Sequence, residues 1–127
     1  MKEKSPKTKI IAVQAKGAPA MVDSWRAGKL ISYEHIETIA DGIGVRLPVE
    51  QALEDMKGLV DDALLVDEKS IVQAMKLLHQ HAGLVVEPSG AVGIAALLEN
   101  KNDFRSQQVA TILCGGNLTG AQMREWL

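Results

Sequence analysis

Short runs of β-branched and aliphatic residues alternate with stretches of helical periodicity along most of this 127-residue chain. The apolar runs lie over residues 9–14, 63–66, 84–86 and 109–113, and helical spacing of apolar residues dominates between them. Continuous apolar strands of this kind are typical of a parallel sheet covered on both faces. The alternation therefore predicts an α/β fold with three layers, in which a mostly parallel sheet is flanked by helices.

The predicted helices have local start and stop signals. Gly28 suits the end of the first helix, and Pro48 suits the first position of the second. Asp67 and Ser89 are each expected to cap the N-terminus of a following helix. A short final helix is expected from about Gly120 to Trp126.

Composition limits the kinds of protein that the chain can be. A hydrophobic content of 46% suits one domain over 1–127, with residues 1–8 expected to form a flexible lead. A net charge of −2 argues against nucleic acid as a partner. No apolar run approaches the ~20 residues that span a bilayer, and no signal peptide opens the chain, so a cytoplasmic protein with no membrane partner is expected.

Glu87 is the first candidate site residue, because it directly follows the apolar run 84–86 and precedes a predicted helix. Ligands of open α/β sheets bind outside the carboxyl ends of the strands. Ionised carboxylates are also rarely buried without a partner. The alternative is an acid that only accepts hydrogen bonds from nearby backbone amides.

Two glycine-containing turns are further candidates. Cys114, Gly115 and Asn117 follow the last apolar run, where glycine would let the backbone approach a ring or phosphate. The same residues are also common in ordinary turns, and a lone cysteine is more often an inert small hydrophobe. Asp41 and Gly42 have the same ambiguity, with a local Asx turn as the alternative.

Four segments, in this order along the chain, closely resemble the C-terminal part of the threonine dehydratases. They are Thr38–Gly42 (TIADG), Leu59–Asp62 (LVDD), Val86–Ala91 (VEPSGA) and Ile112–Asn117 (ILCGGN). These dehydratases belong to the fold-type II pyridoxal-phosphate enzymes, with serine dehydratase and serine racemase as near relatives. The resemblance runs from about Lys9 to Trp126, which makes the expected fold the C-terminal half of a cofactor domain.

The resemblance implies a role in cofactor binding for each of the five candidates. Cys114 would face the pyridine nitrogen of pyridoxal phosphate and leave it largely unprotonated. Gly115 would pack near the ring, and Asn117 would hold the turn. Glu87 corresponds to an acid near cofactor and substrate, and Gly42 to a loop that borders the active site.

The resemblance also implies that these 127 residues lack two parts of the family's active site, the Schiff-base lysine and the phosphate-binding loop. No lysine has the family's Ser-aromatic-Lys context for the Schiff base, and the glycine-rich phosphate loop has no counterpart. No catalytic residue is therefore expected in this chain. Gln14 and Ala20 stand where some relatives place a glutamate and an aspartate on a divalent cation, so no metal site is expected.

The sequence therefore predicts a C-terminal fragment of a threonine or serine dehydratase that binds pyridoxal phosphate weakly and is inactive alone. The parent reaction would convert threonine to 2-oxobutanoate and ammonia. Half of a divided sheet would expose apolar surface and an open edge. The expected partners are therefore a second copy or an N-terminal half. The alternative function is a non-catalytic association module, or one half of a divided enzyme that complements a separate N-terminal half.

Overall fold

A computed structural model describes residues 2–127 and places two parallel strands at its centre. Strand β1 is Ile11–Ala15 and strand β2 is Asp62–Val66. Their register runs from Ile11 opposite Asp62 to Ala15 opposite Val66. The α/β class is confirmed, on a sheet that is narrower than predicted.

Residues 2–127 also form five α-helices and one turn of 3-10 helix, which pack on this ribbon and on one another. The α-helices are α1 (Ala20–Ala27), α2 (Glu50–Met56), α3 (Glu68–Ala82), α4 (Pro88–Glu99) and α5 (Gly120–Trp126), and the 3-10 turn is Asp41–Ile43. The final helix has the predicted bounds, because Thr119 and Gln122 form a reciprocal capping box at its start.

The two faces of the ribbon are covered by different helices, as the period-2 alternation of a strand requires. Ala15 and Val66 belong to the main hydrophobic core, which α3 and α4 complete, and the partly buried Val13 packs against it. Gln14 points to the opposite face and contacts α1. The largest fully buried side chains of the core come from α3, namely Ile71 and Met75.

The start of α4 differs from the prediction, which made Ser89 its N-cap. The helix begins at Pro88, and Glu87 is the N-cap residue with extended dihedral angles (φ −70°, ψ 161°). Proline suits the first helical position and forces an extended backbone on the residue before it. Ser89 is therefore already inside the first turn, where it is buried.

Two of the four predicted strands do not form within residues 2–127. The segments 84–86 and 109–113 have no strand assignment, and no main-chain hydrogen bond joins 109–113 to another described residue. Two hydrogen bonds join the residues that follow the two segments. The Glu87 N–H donates to the Gly115 carbonyl at 3.2 Å, and the Glu87 carboxylate accepts from the Asn117 N–H at 3.0 Å. Their composition favours strands, but a strand also needs a neighbouring strand with which it exchanges main-chain hydrogen bonds along its length.

The first residues contact the start of the ribbon. Lys2 forms an ion pair with Asp61 (Nζ to Oδ2, 2.5 Å), and the same carboxylate accepts from the Ile10 N–H at 2.7 Å. That 1–8 is a flexible lead stays a prediction. No helix of residues 2–127 is long and apolar enough to cross a membrane.

Candidate functional site

Glu87, Gly115 and Asn117 come together at the N-terminus of α4. Oε2 of Glu87 accepts a hydrogen bond from the main-chain N–H of Asn117 at 3.0 Å. The main-chain N–H of Glu87 donates in return to the Gly115 carbonyl. The turn 114–117 is thus held to the start of α4 by one side-chain and one main-chain hydrogen bond.

Only glycine suits both the backbone conformation and the close surroundings of position 115. Its φ is +74°, which is in the left-handed region, and a Cβ at this position would lie 2.4 Å from Oε1 of Glu87. Without a Cβ, the backbone lies directly against the carboxylate. The sequence predicted that the backbone at Gly115 lies close to another group. Among the described residues that group is the Glu87 carboxylate.

The main chain of Cys114 packs against the first turn of α4. A Cβ on Gly90 would lie 2.1 Å from the Cys114 carbonyl oxygen, so Gly90 is what allows the turn 114–117 to lie so close. The Cys114 thiol is free and exposed. The lone cysteine is therefore not a buried small hydrophobe.

Gly42 contacts the same helix end through Ser89. A Cβ on Gly42 would lie 2.9 Å from the Ser89 Oγ, which is buried and has no hydrogen-bond partner among the described residues. The Gly42 N–H donates to Oδ1 of Asp41 at 2.8 Å, so the aspartate stabilises its own turn. The 3-10 turn Asp41–Ile43 therefore covers the first turn of α4.

All five predicted site residues thus lie on or beside the N-terminus of α4. Two side chains in this region were not predicted as site residues. One is Ser89, which was expected only as a cap. The other is Gln14, whose amide contacts both α1 and the turn Asp41–Ile43. A polar residue inside an apolar strand was the available signal for Gln14, because a buried amide requires partners.

A second polar cluster lies at the carboxyl ends of the two strands. Lys16 and Asp67 form an ion pair (Nζ to Oδ2, 2.6 Å), and the Asp67 N–H donates to the Glu99 carboxylate. The hydrogen bond that Lys16 donates to the Asp67 carboxylate raises the pKa of Lys16 above its ordinary value. The Lys16 ammonium balances one of the two carboxylates at this surface position. Over residues 2–127 no three histidine, cysteine, aspartate or glutamate side chains converge as metal ligands would.

Comparison with known proteins identifies the class. A family model described as "Pyridoxal-phosphate dependent enzyme" matches residues 1–115. The chain belongs to this family, and its relatives are threonine dehydratases and serine racemases of fold type II.

Individual relatives agree in sequence and in structure. The L-threonine ammonia-lyase of Thermotoga maritima is 39% identical over 118 residues, which are 93% of this chain and 29% of that protein. A serine racemase of rice (Oryza sativa) is 36% identical over 119 residues, covering 90% of this chain and 35% of that one. The structure of maize serine racemase superposes with a TM-score of 0.87 at 33% identity, over 98% of this chain and 39% of that one. The chain therefore spans about 30 to 35% of the length of these curated relatives.

The residues at the start of α4 fit one side of a pyridoxal-phosphate site. The exposed Cys114 thiol is a neutral group of the kind that can accept from or weakly donate to a ring nitrogen. The space that a side chain at position 115 would enter is occupied by the Glu87 carboxylate, so glycine at this position lets the turn 114–117 and the carboxylate lie together. The buried, unpartnered Ser89 hydroxyl lies at the same helix end, against Gly42. Family membership shows that pyridoxal phosphate is the cofactor of the family.

Proposed function

We propose that this chain forms the wall beside the cofactor ring in a pyridoxal-phosphate-dependent threonine or serine dehydratase. The reaction would release ammonia from threonine and give 2-oxobutanoate. The observation that carries the proposal is the turn 114–117 held against the start of α4 by Glu87. It brings together the residues that the resemblance assigns to the cofactor.

Each of these residues has a defined task in the proposal. Bound pyridoxal phosphate supplies the electron sink that labilises bonds at the amino acid α-carbon. Cys114 holds a neutral group at the ring nitrogen, and Gly115 keeps the backbone close to the ring. Glu87 anchors the turn through the Asn117 N–H, and Gly42 closes the side of the site nearest Ser89.

The reacting lysine and the phosphate-binding loop must come from outside these 127 residues, whether in the same polypeptide or in another. All lysines from Lys4 onward are exposed. We therefore expect residues 1–127 alone to bind pyridoxal phosphate weakly and to release no ammonia from threonine. The cytoplasmic setting expected from the sequence belongs to this proposal as well.

An exposed apolar surface supports a partner for the chain. Ile112 is 84% exposed, and the other exposed apolar side chains of the two strand-like segments are Leu84, Val85, Val109 and Leu113. Main-chain groups of 109–113 have no partner among residues 2–127. An unpaired extended segment with apolar side chains favours the addition of a further strand. The N-terminal part of a related fold is the partner that would supply both a strand and the lysine.

A chimera tests the dehydratase function directly. The segment of the Thermotoga maritima L-threonine ammonia-lyase that matches this chain is replaced by residues 1–127, and 2-oxo acid release from threonine is measured. We expect activity, which a Cys114→Ser variant retains and a Cys114→Asp variant largely loses, because an acid would protonate the ring nitrogen. A folded chimera that contains pyridoxal phosphate but releases no 2-oxo acid from threonine or serine would overturn the proposal.

The exposed apolar surface also favours the second candidate function, a non-catalytic association module. Sedimentation of residues 1–127, alone and mixed with the remaining segment of the Thermotoga enzyme, distinguishes the two candidate functions. Self-association with no complex in the mixture favours the association module. Formation of a complex that gains threonine-dependent ammonia release favours the divided enzyme.

A further inference from the structure

The side chain of Gln14 is a buried amide between three elements. Gln14 lies in β1, only 5% exposed, on the face of the ribbon opposite the main core. Its Oε1 accepts from the Val22 N–H of α1 at 3.2 Å, and its Nε2 donates to the Ile43 carbonyl at 3.4 Å. Strand, helix and 3-10 turn thus meet at one side chain.

The contact with α1 replaces a missing helix cap. The N-cap residue of α1 is Pro19, which provides no side-chain hydrogen bond. The first N–H groups of a helix have no partner within the helix and need one from elsewhere. Gln14 provides this partner for Val22 from the neighbouring strand.

The contact with Ile43 reaches the candidate site. Ile43 ends the 3-10 turn that carries Gly42, and Gly42 lies against the buried Ser89 of α4. A change in the position of this turn therefore changes the cover over the start of α4. Because an amide both accepts and donates, Gln14 holds the helix and the turn at once, which a carboxylate at neutral pH does not do.

We propose that Gln14 is a positioning residue, which sets the turn Asp41–Ile43 on the N-terminus of α4 and thereby fixes the Gly42 side of the site. That this turn matters for a bound cofactor rests on the proposed function. The coupling of Gln14 to the turn does not. The isolated bridge between Pro19 and Val45 also joins α1 to the chain after the turn.

Hydrogen exchange of the 127-residue chain, resolved by residue with NMR, tests the coupling without cofactor or activity. In Gln14→Glu the acceptor for Val22 remains and the donor to Ile43 is lost. We expect Val22 to keep its protection within about twofold, and Ile43 and Gly44 to exchange roughly tenfold faster, as a local loss near 1.4 kcal/mol implies. In Gln14→Met, which removes both bonds at similar volume, all three amides should exchange faster.

The exposed Gln73 on α3 offers a matched control. Gln73→Glu makes the same chemical change and should leave Val22, Ile43 and Gly44 unaltered. Equal acceleration of Val22 and Ile43 in Gln14→Glu would show general loosening and overturn the proposal, as would unchanged exchange at Ile43 and Gly44. In the chimera described above, Gln14→Glu should raise KM for threonine more than it lowers kcat. An inactive chimera would refute the proposed function and leave the exchange result standing.

Discussion

The carboxylate of Glu87 accepts the main-chain N–H of Asn117 across 30 positions of sequence. Glu87 is the N-cap residue of α4, so its negative charge also lies at the positive end of the helix. One half-buried side chain therefore stabilises both the helix start and the turn 114–117.

Removal of the Glu87 carboxylate tests this double role. Glu87→Ala loses a charge-assisted hydrogen bond and a favourable helix-end charge, so we expect the free energy of unfolding to fall by about 1 to 2 kcal/mol. Urea denaturation followed by circular dichroism measures it. Glu34→Ala removes the same charge from an exposed position and should change stability by less than about 0.5 kcal/mol. Equal effects of the two substitutions would contradict the assignment.

Gly115 and Gly58 form a natural pair of test positions. Both have a left-handed backbone, with φ of +74° and +71°. A Cβ at Gly58 would contact nothing within 4 Å, whereas one at Gly115 would lie 2.4 Å from Glu87 Oε1. We expect Gly58→Ala to cost about 1 to 2 kcal/mol of unfolding free energy from its backbone alone. Gly115→Ala should cost about 1 to 3 kcal/mol more because the new methyl group displaces the carboxylate. The same loss in both variants would mean that the Glu87 contact is unimportant.

A double-mutant cycle measures the contact between Gly42 and Ser89. Gly42→Ala places a methyl group 2.9 Å from the buried Ser89 Oγ and should lower the free energy of unfolding by about 1 kcal/mol. Ser89→Ala removes a hydroxyl that has no partner, so we expect little loss of stability. The double variant should be more stable than the sum of the single effects by at least about 0.5 kcal/mol. Strict additivity would show that the turn does not press on Ser89.

Because of the ion pair of Asp61 with Lys2, the free energy of unfolding should vary with pH in the acid range. The hydrogen bond from Lys2, followed by that from the Ile10 N–H, lowers the pKa of Asp61 below its ordinary value of 3.8. A lowered folded-state pKa means that the unfolded chain binds a proton more readily. The stabilisation is therefore complete well above pH 3.8 and is lost as the pH falls through the folded-state value.

Asp61→Asn provides the measurement. Its free energy of unfolding should lie below that of the parent at neutral pH, and the two should converge in acid. The exposed Asp103 is a suitable control, because its side chain makes no hydrogen bond among the described residues. Asp103→Asn should follow the parent at every pH. A difference for Asp61→Asn that persists unchanged into acid would contradict the role of the carboxylate.

Local signals made most helix ends predictable, although α2 begins at Glu50 and not at Pro48. Gly28 ends α1 with φ of 66°, and the proline at 88 begins α4. These effects act within one turn of chain, so the sequence contains all the information that they need. Ser89 was misplaced by one such rule because the stronger constraint from Pro88 moved the helix start upstream.

Long-range pairing made the rest unpredictable. The runs 84–86 and 109–113 have the composition of strands, but whether a strand forms depends on the neighbour that it finds. The meeting of Glu87 with Asn117, and of Gly42 with Ser89, likewise depends on contacts between distant segments. The motifs indicated which residues belong to the site, whereas only the fold shows that Gln14 connects to it.

The close packing of α3 on α4 has a consequence for the order of folding. These helices pack against each other, and only residues 83–87 separate them in sequence. The two strands, by contrast, pair Ile11 with Asp62 across a long intervening segment. Since closing a long loop costs more entropy than closing a short one, the helical pair should order before the ribbon. The part of the chain that carries Glu87 would then be formed first, and would serve as the surface on which β1 and β2 assemble.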